Sequence, residues 1–151
     1  MASQLSQPAA LSIAGSDSSG GAGLHADLRT MTKLGVHGAS VVTCVTAQNP
    51  GGVSAIHPTP AKVVAAQLDC VFSSLPIRAV KTGMLYSRSI IDAVAQCLAK
   101  RKQVQLVIDP VMISSSGTPL LKPSAALALS ARLLPLAKLV TPNLEEAAAL
   151  A

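Results

Sequence analysis

Short apolar, β-branched runs alternate with longer helix-like runs about five times along the chain, joined by brief connections. Parallel strands cannot be joined by a tight turn. They need a crossover of a dozen or more residues, usually a helix. The runs AALSIA (9–14), ASVVTCVTA (39–47), IRAVKTG (77–83), VQLVIDP (104–110) and KLVTPN (138–143) read as strands, and VSAIH as a further short strand after a break at QNPGG. The intervening LHADLRTMTKLG reads as a helix closed by Gly35, and another opens at Pro60 and runs to about Ser74. SRSIIDAVAQCLAKR is a helix with Ser87 or Ser89 as its cap, PSAALALSARLL has Pro123 in its first turn, and LEEAAALA begins a last helix. The pattern predicts an α/β fold with a mostly parallel sheet covered by helices. No linker, repeat or low-complexity tract divides the chain. Residues 9–151 are expected to form one domain portion behind a short flexible N-terminus, residues 1–8.

The core of such a fold must come from Ala, Val, Leu and Ile, because the sequence has one Tyr, one Phe and no Trp. The same shortage argues against nucleic acid as the partner of the +5 net charge, since single-strand binders offer aromatic platforms to bases. The basic run Lys100-Arg101-Lys102 falls at an expected helix end, where cations complement the dipole. Cys44, Cys70 and Cys97 are odd in number, far apart and without a CxxC, which points to reduced thiols. His25, His37 and His57 have no metal-ligand spacing and read as surface or turn residues. There is no secretory signature at the start and no unbroken apolar run of bilayer length. A cytoplasmic protein with no membrane partner is expected.

Right-handed crossovers bring the carboxyl ends of parallel strands to one edge of the sheet, where ligands bind in open α/β folds. The residues that collect there are Gly15, Gln48-Asn49, Lys81 to Met84, Asp109 and Asn143. Each alone suits a turn or a cap; together they favour a site. The glycine loop AGSDSSGGAG fails as a P-loop, because Gly21 stands where Lys is required. GAGLHA fits a dinucleotide fingerprint, but no acidic residue follows between Asp27 and Asp69 to hold a ribose. A dinucleotide-dependent oxidoreductase is therefore disfavoured.

AGSDSSGGAGLHADLRT resembles the opening signature of the hydroxymethylpyrimidine/phosphomethylpyrimidine kinases of thiamine biosynthesis, in the ribokinase-like superfamily. The resemblance continues in order through VVTCVTAQN, VAAQLDCVFSSLPIRAVKTGML, VIDPVMISSSGTPLL and TPNLEEAAALA. It implies a ribokinase-like sheet with helices on both faces, incomplete at the C-terminus. It also implies ATP- and Mg2+-dependent phosphorylation of 4-amino-5-hydroxymethyl-2-methylpyrimidine and then of its monophosphate. By motif, Gln48 would hydrogen-bond the aminopyrimidine, whose edge needs the donor and acceptor an amide offers. Gly15, Asp27, Met84 and Val111 would line the same pocket. Asn143 and Glu146 match an N-x-x-E motif associated with magnesium and phosphate, with Asp109 close by; Glu146 and Asp109 are the implied metal ligands.

Plainer readings stand beside these. Asn143 with Glu146 three residues later is also a capping box, and Met84 and Val111 suit core packing. Ser115 and Thr82 stand where the family usually has Lys and Ile. The family's G-T-G anion hole and hydroxyl-activating residue lie downstream of N-x-x-E, and the sequence contains no G-T-G. The chain thus resembles roughly the first half of the family's domain. It is expected to carry no catalytic residue and to bind without turnover, whereas a complete family member is expected to be a homodimer. The alternatives are a pyridoxal-type kinase of the same superfamily and a non-catalytic pyrimidine- or nucleotide-binding module.

Overall fold

The computed structural model describes residues 7–114 and 117–151. Most of the proposed flexible N-terminus, and Ser115, lie outside the described residues. β1 (Ala9–Ala14) is the first strand of the sheet in sequence and an inner one. β2 (His37–Val42) lies on one side of it, and β5 (Ile77–Thr82), β6 (Gln105–Ile108) and β7 (Leu139–Val140) follow on the other, giving the order β2-β1-β5-β6-β7. Every pairing in this sheet is parallel. The remaining strands, β3 (Cys44–Asn49) and β4 (Gly52–Pro58), form a separate antiparallel hairpin.

The run 39–47, expected as one strand, is therefore two. The break falls at Thr43, which is fully buried. Its N–H donates to the Ala14 carbonyl at 2.9 Å, its hydroxyl donates to the Met84 carbonyl at 2.6 Å, and its carbonyl accepts from Thr59 at 2.8 Å. These partners take the chain out of the sheet and into the hairpin. The QNPGG break is the hairpin turn, where Asn49 Oδ1 accepts from the Gly51 N–H at 2.8 Å.

The helices are α1 (Gly23–Lys33), α2 (Ala61–Ser74), α3 (Arg88–Leu98), α4 (Pro123–Ala128) and α5 (Leu144–Leu150). α1 packs on β1 and β2, whereas α2, α3 and α4 pack against their neighbours in sequence. The crossover from β1 to β2 runs opposite to those reaching β5, β6 and β7, so right-handed connections set α1 on one face and the other three on the second. Ser87 occupies the N-cap position of α3, but its hydroxyl pairs with Ser89 at 3.2 Å and makes no cap bond. The helix after Pro123 changes to a π-helical turn at Leu129–Leu133 and a 3-10 turn at Leu134–Leu136. Pro135, which has no N–H to continue a helix, sits in that last turn.

Strand alternation divides the core. Leu11 and Ile13 of β1, Val41, Val80 and Ile108 pack with Leu68 of α2, Ile91 and Val94 of α3, and Leu133. All are aliphatic, and Phe72 stands at the margin with the Arg101 guanidinium 4.2 Å from its ring centre. Arg101 also donates to the Cys97 carbonyl at 2.6 Å, closing the end of α3. On the α1 face, Gly38 of β2 lies against Leu28 and Met31. Among the described residues no helix is long and apolar enough to cross a membrane.

Candidate active site at the carboxyl edge of the sheet

The glycine loop leaves β1 and is held by its own side chains. Asp17, buried beneath it, accepts from the Ser19 N–H at 2.9 Å, the Ser19 hydroxyl at 2.8 Å and the Ala22 N–H at 2.8 Å. Burial pushes the Asp17 carboxyl up, but the Ser19 hydroxyl and the N–H groups of Ser19, Ala22 and Gly21 outweigh it, and the net shift is downward. The Asp17 N–H donates to His25 Nδ1 at 3.1 Å, so His25, exposed in the first turn of α1, ties the helix back to the loop.

The same loop is fastened to the hairpin. Ser16 N–H donates to the Cys44 carbonyl at 2.9 Å, and Thr46 N–H donates to Ser16 Oγ at 2.9 Å. Ser18 Oγ donates to the Gln48 carbonyl at 2.6 Å and accepts from the Gln48 N–H at 2.8 Å. Two serine hydroxyls thus replace part of a strand ladder and fix the backbone of Gln48 over the loop. A cleft of about 250 Å³ lies between them, lined by Asp17, Gly21, Gln48, Asn49, Val53 and Ser114 among others. Val53 also packs on the buried cluster of Cys44, Met84 and Leu120, against which Val111 packs as well. A Cβ on Gly15 would stand 3.1 Å from Met84 Sδ, so that glycine lets the β1 end close onto the methionine. Gly15 and Val111 thus lie against the cluster that holds Met84, and Val53 joins that cluster to the cleft.

Next to this lies a charged cluster. Ser12 of β1 and Lys81 of β5 are register partners, and both turn to Asp27 of α1. Ser12 Oγ donates to Asp27 Oδ2 at 2.6 Å, and Lys81 Nζ lies 3.2 Å from both Asp27 oxygens. The same ammonium is 3.4 Å from Asp109 Oδ2, at the end of β6. Burial raises the Asp109 pKa, the Lys81 ammonium offsets part of that, and Glu146 and Asp27 add to the rise.

Asn143 and Glu146 form a complete capping box at the start of α5. Asn143 Oδ1 accepts from the Glu146 N–H at 2.8 Å, and Glu146 Oε2 accepts from the Asn143 N–H at 3.0 Å. The Glu146 carboxylate is nonetheless buried and reaches the Met112 N–H at 3.4 Å, across the loop that follows β6. With Met112, Ile113, Ser114 and Leu144 this pair borders a second cleft of about 540 Å³. Sequence reasoning placed Lys81 at a strand end without a role and passed over Ser12, Ser16 and Ser18. For Ser12 the available signal was a lone polar residue inside the otherwise apolar AALSIA.

The family profile for phosphomethylpyrimidine kinase matches residues 17–151. The chain belongs to the phosphomethylpyrimidine kinase family. It is 56% identical over 139 residues to a hydroxymethylpyrimidine/phosphomethylpyrimidine kinase of Rhizobium meliloti, covering 92% of this chain and 52% of that protein. The crystal structure of phosphomethylpyrimidine kinase from Clostridium difficile 630 superposes with a TM-score of 0.89 at 48% identity, covering 95% of this chain and 62% of that one. An ADP complex of Bacillus subtilis pyridoxal kinase superposes with a TM-score of 0.85 at 39% identity, covering 96% of this chain and 54% of that one. The chain thus spans about half the length of the full-length family protein it matches. With its family and its parallel sheet, the ribokinase-like fold expected from the motifs is established.

Proposed function

We propose that the protein to which this chain contributes is an ATP-dependent kinase acting on 4-amino-5-hydroxymethyl-2-methylpyrimidine and its monophosphate, and that this chain supplies the pyrimidine pocket and part of the phosphate site. The observation that carries the reading is the placement of Gln48. Its backbone is pinned by Ser18 above a glycine-lined cleft, and the same glycine loop runs on into α1, which carries Asp27 of the Asp27–Lys81–Asp109 cluster. A flat heterocycle in that cleft would meet an amide donor and acceptor, with Val53 and the Met84 cluster behind it. Its hydroxymethyl oxygen would attack the γ-phosphorus of ATP while the bond to the β-phosphate oxygen breaks, ADP leaves and the hydroxyl proton is released. No described side chain is assigned as the acceptor of that proton.

Asp109 and Glu146 fit a magnesium ion of the kind that takes one or two carboxylates and completes its shell with water and phosphate oxygens. Both are hard oxygen donors, the Glu146 charge is close enough to raise the Asp109 pKa, and the described residues offer no larger acidic or imidazole cage. Bound there, the ion would neutralise charge on the transferred phosphoryl group. A pyridoxal-type kinase is the second reading, favoured by the closely similar fold of the pyridoxal kinase above. Cytoplasmic location and a homodimer belong to the same proposal.

The test is ATP-dependent formation of the pyrimidine mono- and diphosphate by the native protein, followed by mass spectrometry, with pyridoxal in a parallel assay. Pyrimidine turnover that Gln48→Ala abolishes supports the reading. Preferential phosphorylation of pyridoxal selects the second, and ligand binding without turnover by the native protein leaves a binding module.

A further inference from the structure

Lys81 is the one described residue that touches two of the acidic groups at the sheet edge. Its stem crosses the α1 face of β5 between Ser12 of β1 and Val107 of β6, its register partners on either side. Its ammonium reaches Asp27, from the helix behind the glycine loop, and Asp109, from the loop that carries the phosphate-side residues. The three side chains are between 18% and 33% exposed, so the contacts are partly shielded from water. Gly83 keeps the space open, since a Cβ there would stand 3.4 Å from Lys81 Nζ and 3.1 Å from Ala14 Cβ.

A lysine in this place is costly unless it does something with both partners. Asp27 is already satisfied on one oxygen by the Ser12 hydroxyl, so it does not need Lys81 merely to be hydrogen-bonded. Asp109 has no such second side-chain partner among the described residues: its backbone N–H is held by Thr82, and its carboxylate is oriented by Lys81. One ammonium between two carboxylates sets their separation and aims each by the same contact. We propose that Lys81 is a positioning residue that ties the pyrimidine-side carboxylate Asp27 to the phosphate-side carboxylate Asp109, so that the two halves of the site are held in one register. This rests on the kinase reading for its ligands, but the tie itself is a property of the three side chains.

The tie distinguishes Lys81 from a stabilising ion pair, because loss of a merely stabilising pair would leave binding at both subsites intact in the folded protein. Calorimetry on the native protein would measure 4-amino-5-hydroxymethyl-2-methylpyrimidine and, separately, a non-hydrolysable ATP analogue with Mg2+. In Lys81→Met, and in Lys81→Gln should the first not fold, both ligands are expected to weaken by about tenfold or more, with Lys81→Arg recovering most of the loss. Unchanged affinity for either ligand in a folded variant overturns the proposal. If the wild-type protein binds neither ligand, the kinase reading falls. The tie is then decided by urea-unfolding cycles pairing Lys81→Met with Asp27→Asn and with Asp109→Asn. Coupling in both cycles sustains it, and coupling in one or neither overturns it.

Discussion

The Cα of Gly23 is held against the Gly15 carbonyl so closely that a Cβ at Gly23 would collide with that oxygen. The Leu24 N–H donates to the same oxygen at 3.0 Å, and Gly23 sits at φ +54°. The first turn of α1 thus folds back on the end of β1, and the glycine loop is the connection it closes. Gly23→Ala meets a steric and a backbone penalty together and is expected to cost about 2 kcal/mol or more. Urea unfolding checks this, and loss of pyrimidine binding by whatever remains folded would place the same contact in the site. A variant as stable as wild type would contradict the close approach.

Thr82 is fully buried between Ile13 and Ile108 in the sheet, and its hydroxyl has no hydrogen-bond partner among the described residues. An unpaired buried hydroxyl loses its hydration and gains nothing in return. Thr82→Val keeps the shape and removes the polar atom. A gain of about 1 kcal/mol in stability is expected, read as a higher urea midpoint at unchanged slope. A loss would mean that the hydroxyl is satisfied in solution.

Asp17 makes stability depend on pH. Its carboxyl is held below the usual aspartate range by hydrogen bonds to the ionised form. The folded state therefore favours the charged group more than the unfolded chain does. That contribution is complete above the unfolded pKa and is lost as pH falls through the lower folded value. Asp17→Asn is expected to be less stable than wild type by about 1–3 kcal/mol at pH 7. The two stability curves should converge below about pH 4. Parallel curves over the whole range would show that the loop does not need the charge.

Much of this architecture can be read from pattern. β1 falls on AALSIA residue for residue, because a buried strand between a turn and a glycine loop has little freedom in its ends. The split at Thr43 cannot be read that way. A β-branched run looks the same whether it stays in one sheet or leaves it, and what decides is the bond from Thr43 to the distant Met84 carbonyl. β7 shrinks to two residues for a similar reason: KLVTPN has strand character, but Leu139 and Val140 alone pair in register with β6, with one backbone bond from Lys138 and one from Thr141 at its ends. At the site, motif spacing located Asn143 and Glu146 but could not say how their side chains are used. Lys81 was harder, since its two partners lie on α1 and after β6, 54 and 28 positions away, and only the sheet order brings them together.

The three thiols differ in environment. Cys44 is fully buried beside Met84 and its pKa is pushed up to about 11 by that burial. Burial also raises Cys97, with the Arg101 charge offsetting part of it. Cys70 is exposed on α2. Since the thiolate is the reactive form, Cys70 is expected to be alkylated first by iodoacetamide at pH 8, and Cys44 only on unfolding. Mass spectrometry of digests taken over time distinguishes them. Early labelling of Cys44 would mean that the hairpin opens readily from the glycine loop.

Glu146 has two duties that one pair of substitutions can separate. As the third residue of α5 it accepts from the Asn143 N–H, and as a buried carboxylate it faces the Met112 N–H and raises the pKa of Asp109. Glu146→Gln keeps an oxygen for the Asn143 N–H, so the cap should lose no more than about 0.5 kcal/mol. Glu146→Ala removes the acceptor and should cost about 1 kcal/mol. If the carboxylate also serves magnesium and phosphate, both variants of the native protein should lose phosphorylation rate by about tenfold or more, because an amide cannot neutralise the ion. A rate that falls only with Glu146→Ala, in step with its stability, would assign Glu146 to the helix cap and leave Asp109 as the remaining acidic candidate at the phosphate side. A rate lost equally in both, with stability lost only in one, would assign it to the reaction.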